Sequence, residues 1–171
     1  MENNNSVKGK LSKEVFHLIN TSNIKFKYGE ISFLDEKNIN EGQAGFRFNA
    51  ITGEKIEDWI GDEYVIIGYD STAGCGQDPY IIKTDEINLP VYWLMTDGGE
   101  WSNPDLICDS LENFNRIIKF LEEYSEYFID EELTDEIKGE ILNKISEIEG
   151  KEKISDYWEN LLNNAMPFES Q

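Results

Sequence analysis

An α+β fold is predicted by three features of this sequence. Short β-branched and aromatic runs at Tyr64–Tyr69, Tyr80–Ile82 and Val91–Met95 follow one another through polar turns, with no helical pattern between them. Such a succession describes an antiparallel meander. Two longer stretches with apolar residues every three or four positions, beginning at Leu111 and Leu133, come after the strands and describe helices laid against a sheet. Composition agrees, since 39% hydrophobic and 12% aromatic residues in 171 supply a core that disordered acidic chains lack. The expected architecture is a mixed, largely antiparallel sheet with helices packed around it. Residues 1–126 would form this α+β domain, and residues 127–171 an acidic helical C-terminal extension packed on or beside it.

Along the chain, Met1 to Lys10 is polar, with Asn3, Asn4 and Asn5 where an export signal needs an apolar run; a cytoplasmic protein is expected. Ser12 is a candidate N-cap for a short amphipathic helix through Leu11–Ile19, carrying Val15, Phe16, Leu18 and Ile19. Ile24, Phe26, Tyr28, Ile31 and Phe33 alternate around Gly29-Glu30, which predicts two strands or one bent strand. Gly42, Gly45 and Gly53 punctuate the stretch around Phe46 and Phe48, where strand and loop are expected. The unbroken run Tyr64–Tyr69 has the character of a strand buried on both faces, central to the sheet.

After a turn at Asp97-Gly98-Gly99, Asp109 and Glu112 have the spacing of a capping box, and Leu111, Phe114, Ile117, Ile118 and Leu121 form the stripe of a helix. Leu133, Ile137, Ile141, Ile145 and Ile148 form a second stripe that Gly150 stops. Ile154, Trp158, Leu161 and Leu162 mark a last amphipathic helix, with fraying after Pro167. Trp59 and Phe114 are expected in the core, Trp59 over one end of the sheet. No run approaches the twenty or so apolar residues of a membrane helix, so no membrane partner is expected.

The inventory of reactive groups is small. One histidine, His17, lies among apolar neighbours, and the two cysteines, Cys75 and Cys108, are far apart, so neither a zinc set nor a nucleophile–base pair can be assembled. Cys75 is expected as a loop thiol and Cys108 as a small buried hydrophobe, both reduced. The segment Asp70–Ile81 superficially resembles a calcium loop, but Cys75 and Ile81 stand where an EF-hand needs glycine and glutamate. Gly74-Cys75-Gly76 lacks the third glycine and the helix of a dinucleotide site. Tyr92, Trp93 and Trp101 are expected mostly as core rather than as a stacking platform. No catalytic residue, metal or cofactor is therefore expected, and the chain is read as a non-enzyme.

Charge is the stronger functional signal. The net charge of −20 is uneven: residues 1–60 carry −1, residues 61–120 carry −8 and residues 121–171 carry −11. Such a field repels nucleic acid and anionic lipid, and it accelerates encounter with basic proteins. Solubility alone is the competing explanation.

An ordered set of features also resembles a known family. Trp59, the strand Tyr64–Gly68, Gly76-Gln77-Asp78-Pro79-Tyr80, Pro90-Val91-Tyr92, Asp97 to Trp101, and Asp109-Ser110-Leu111-Glu112-Asn113-Phe114 follow in the order of the SUKH superfamily, which holds immunity proteins and fungal glucan-synthesis regulators. The resemblance covers Trp59 to Leu121; residues Leu11 to Gly45 do not reproduce the family's opening helix. It implies an α+β binding scaffold without catalytic residues. The function it implies is neutralisation of a polymorphic toxin, commonly a nuclease or deaminase. The expected function is a cytoplasmic immunity protein for a basic toxin domain. The alternative is a regulatory or scaffold protein-binding module of the glucan-synthesis-regulator type, without a toxin partner. The partner-binding residues expected are Asp97, Glu100, Trp101 and Asp105, in a loop region from Asp97 to Asp109 flanked by the C-terminal helices.

Overall fold

The computed structural model describes residues 11, 13–19, 22–72, 76–97, 100–101, 103–129 and 133–164. Among the described residues, five helices accompany a six-stranded sheet. The helices are α1 (Lys13–Leu18), α2 (Leu111–Glu122), α3 (Ser125–Ile129), α4 (Asp135–Glu149) and α5 (Asp156–Asn164). The sheet comprises β1 (Ile24–Phe26), β2 (Gly29–Phe33), β3 (Tyr64–Asp70), β4 (Asp78–Lys83), β5 (Val91–Trp93) and β8 (Asp105–Cys108), in that spatial order. A separate two-stranded ribbon, β6 (Thr96–Asp97) with β7 (Glu100–Trp101), lies in the connection from β5 to β8. Every pairing in the large sheet is antiparallel; the one parallel contact is an isolated bridge from Ala44 to Phe48. The chain is thus α+β, with the meander β3–β4–β5 at its centre.

Several local readings need correction. The turn between the first two strands is Lys27-Tyr28, and Gly29 begins β2. Glycine is required there for another reason: a Cβ would lie 2.3 Å from the carbonyl oxygen of Ser71. Residues 34–63 form no strand, only a 3-10 turn at Glu41–Gln43 and two isolated bridges. The third strand of the meander ends at Trp93: the N–H of Leu94 still donates to the carbonyl of Pro79 at 3.0 Å, but proline has no N–H to return the bond, and Met95 is exposed. The cap of α2 is Ser110, whose Oγ accepts from the N–H of Asn113 at 3.1 Å; Asp109 is engaged elsewhere, 2.6 Å from Nζ of Lys151. The short helix α3 carries no periodic signal long enough to read. Gly150 ends α4 in the left-handed conformation, with φ 67°, as its position after the last isoleucine implies. The Ser12 cap, Cys75, the Gly98-Gly99 turn and Pro167 lie outside the described residues.

The two faces of the sheet are covered differently. On one, Phe33, Tyr80, Ile82, Val91 and Cys108 meet α2 and α5, with Phe114 set between Phe33, Tyr80 and Trp158. Trp158 is fully buried and its indole N–H donates to the carbonyl of Ile107 at 3.1 Å. Ile141, Ile145, Tyr157, Leu161 and Leu162 join the same core as Val65 and Ile67, so the last helices and the sheet share one apolar interior. On the opposite face, Tyr69 meets residues 34–63, donating to the carbonyl of Gly42 and touching the ring of Phe46 at 5.6 Å. Trp59 is buried beside Arg47, itself 2% exposed, whose guanidinium lies 6.0 Å from the indole ring and 5.5 Å from that of Phe48. Among the described residues, no helix is long and apolar enough to cross a membrane.

Candidate functional site

Asp97, Glu100, Trp101 and Asp105 all belong to the excursion that leaves β5 and returns as β8. Asp97 and Glu100 face each other in register across the β6–β7 ribbon, and Thr96 faces Trp101. The side chains of Asp97, Glu100 and Trp101 lie outside what the structure describes. The ribbon is tied to the sheet through Thr96, whose N–H and hydroxyl both donate to Oδ1 of Asp78, each at 2.8 Å. Asp105 is not in a loop. It opens β8, exposed, in register with Trp93. This fourth strand of the C-terminal half went unread because only Leu106, Ile107 and Cys108 carry apolar character, too short a run to separate from a loop.

Below the ribbon, the sheet holds a buried polar cluster that sequence reasoning missed. Asp70, at the end of β3, accepts from the N–H and hydroxyl of Thr72 at 2.8 and 2.7 Å through Oδ1, and from the hydroxyl of Tyr157 at 2.9 Å through Oδ2. The Tyr157 hydroxyl also shares a hydrogen bond with that of Tyr80. Burial pushes the Asp70 carboxyl above its ordinary range, against the lowering effect of those hydrogen bonds, and pushes both tyrosines well above theirs. The signal that existed was chemical. An aspartate closing a strand of Tyr-Val-Ile-Ile-Gly-Tyr needs donors; Thr72 supplies two from nearby, and the third comes from a helix 87 positions away. The cluster is joined by hydrogen bonds from α5 to the sheet, a clasp between helix and strand.

The remaining reactive groups are dispersed. His17 is exposed on α1. Cys108 is buried, its Sγ 3.3 Å from the carbonyl of Ser110, and burial pushes its thiol up to about 12, which leaves it protonated and a poor nucleophile. Among the described residues no three His, Cys, Asp or Glu side chains converge as metal ligands. Tyr92 and Trp93 are each partly buried, Trp93 against Tyr157 at 5.4 Å and Tyr92 against Tyr64 at 5.8 Å. The arrangement thus joins a ribbon anchored to the sheet at Thr96 to the exposed start of β8.

No family model, curated protein or solved structure matches this chain.

Proposed function

We propose that this chain is a cytoplasmic immunity protein that binds and occludes a basic toxin domain acting on nucleic acid. The observation that carries the reading is the β5–β8 excursion: Asp97 and Glu100 on a ribbon anchored to the sheet, and Asp105 exposed at the start of β8, in a chain of net −20. A concentration of acidic residues in one excursion favours encounter with a cationic partner. A toxin that acts on nucleic acid presents such a surface, because its own substrate is a polyanion. The order of motifs from Trp59 to Leu121 supports the same reading through its resemblance to SUKH proteins.

The test is direct. Cells expressing the C-terminal domain of the toxin encoded beside this gene should survive when this chain is co-expressed, and the two purified proteins should form a stable complex. Survival without complex formation, or a complex that leaves the toxin active, would overturn the proposal. A neighbouring gene without such a domain would turn the reading toward a regulatory module.

A further inference from the structure

The two edges and two faces of the sheet are not closed to the same degree, and the difference marks a surface. At one edge, β1 is sealed by α3: the N–H of Lys27 donates to the carbonyl of Phe128 at 2.9 Å, and the rings of Phe26 and Phe128 stack at 4.6 Å. At the other, β8 receives the Trp158 indole at Ile107, on the helical side. The opposite face is covered by residues 34–63 over β3 and β4, where Ile66 and Ile81 are fully buried. That cover stops short of β5 and β8. Continuing the row Ile66, Ile81 in register across the sheet come Tyr92, partly exposed, and Leu106, 45% exposed. Leu106 is the only large hydrophobic residue within a strand of the six-stranded sheet that is exposed among the described residues.

Two carboxylates lie at one end of this uncovered area. Tyr64 meets Tyr92 edge to face, and beside them Lys83 is held by Glu86 at 2.8 Å and Asp85 at 3.8 Å, so this cation is already paired with carboxylates. Asp105 precedes Leu106 on β8 but, in register with Trp93, belongs to the helical face. An apolar row of two tyrosine rings and a leucine, with Asp85 and Glu86 at its Lys83 end, has the anatomy of a binding hot spot. A second copy of this chain would bring another −20 to the contact, so self-association is disfavoured by charge.

Resting on the immunity reading, we infer that the open row Tyr92–Leu106, with Tyr64 beside it, is the contact face that holds the toxin domain, receiving from it an apolar side chain flanked by lysine or arginine. The carboxylates would steer the partner in, and the buried apolar contact would hold it there. These roles separate kinetically, since long-range charge acts on association and short-range packing on dissociation.

The experiment uses the full chain and the basic toxin domain encoded beside its gene, followed by stopped-flow association and surface dissociation. Leu106→Arg changes an exposed position and should leave the fold intact, which circular dichroism and the thermal midpoint check; Leu106→Ala is the second variant. Both should raise the dissociation rate, Leu106→Arg by about tenfold or more, while Ile51→Arg, on a remote exposed loop, should not. Wild-type dissociation rates in both Leu106 variants, alongside slower association for charge reversal at Asp97, Glu100 and Asp105, would overturn this face and leave the immunity reading standing. No complex with the wild-type chain would overturn both.

Discussion

The side-chain amide of Gln43 pairs with both backbone groups of Ile66, donating to the carbonyl at 2.9 Å and accepting from the N–H at 3.0 Å. Strand β2 leaves the sheet after Leu34, whose N–H makes the last ladder bond to Ile67 at 2.8 Å. The next backbone groups of β3 on that side would be orphaned in the core, and the fully buried Gln43 takes the place of the missing strand residue. Its Nε2 also donates to the carbonyl of Ile39 at 2.8 Å, which folds the 3-10 turn onto the sheet.

Gln43→Ala should therefore cost about 2–4 kcal/mol, from orphaned backbone groups and a small cavity. Gln43→Glu should cost at least as much above about pH 5, because it presents an acceptor to two carbonyls and buries a charge. Urea unfolding at two pH values checks both. An alanine variant within a few tenths of a kcal/mol of wild type would mean that water replaces the amide.

Phe114 lies among Phe33, Tyr80 and Trp158, 1% exposed. Phe114→Ala should cost about 3–5 kcal/mol. At about 2–4 °C per kcal/mol for a chain of this size, the thermal midpoint should fall by roughly 10 °C. An unchanged midpoint would contradict the packing of α2 on the sheet.

Asp70 makes stability depend on pH in a definite direction. Its carboxyl is raised in the folded chain by burial, so it keeps its proton over a window, above the ordinary carboxylate range, where the unfolded chain has lost it. The stability it contributes is complete below the unfolded value and is lost as pH rises through the folded value. Glu149, raised mainly by burial, acts in the same sense. Acidification from pH 7 toward 5 should thus stabilise the protein, and Asp70→Asn should flatten that slope and stabilise the chain by about 1 kcal/mol at pH 8. A slope unchanged by Asp70→Asn would place the effect elsewhere.

Charge reversal of Asp97, Glu100 and Asp105 together should slow association with a basic toxin domain, and added salt should slow the wild type as the Debye length falls from about 10 Å at 0.1 M to about 3 Å at 1 M. Reversal of Glu14, in the nearly neutral N-terminal segment, should change little. Equal rates for both variants, flat with salt, would reduce the acidity to a solubility device.

In Cys75→Ser, Cys108 should react with a thiol reagent only as fast as the protein unfolds, since its sulfur is buried and its thiol held to about 12. Rapid labelling of the native variant would contradict the closure of β8 under α4 and α5.

The elements legible in the sequence were those with a long period: the run Tyr64–Tyr69, the stripes of α2 and α4, and the stop at Gly150. What escaped was either short or non-local. Strand β8 has four residues and α3 five, below the length at which spacing distinguishes structure from loop. Gln43 and Tyr157 are ordinary polar and aromatic residues until their partners, 23 and 87 positions away, are known. For the candidate site, the sequence located the acidic excursion, but the ribbon register and the open row at Leu106 depend on which strands neighbour which.

Because Phe128 closes one edge of the sheet while Tyr157 and Trp158 clasp its other side, the order of synthesis matters. All six strands have left the ribosome before either closure can form. At about 5–20 residues per second, the nascent sheet waits several seconds with β1 and β8 unprotected. Chaperone dependence and stalled-chain aggregation should therefore concentrate in that interval, and truncation before α5 should yield a chain that precipitates rather than a smaller working domain.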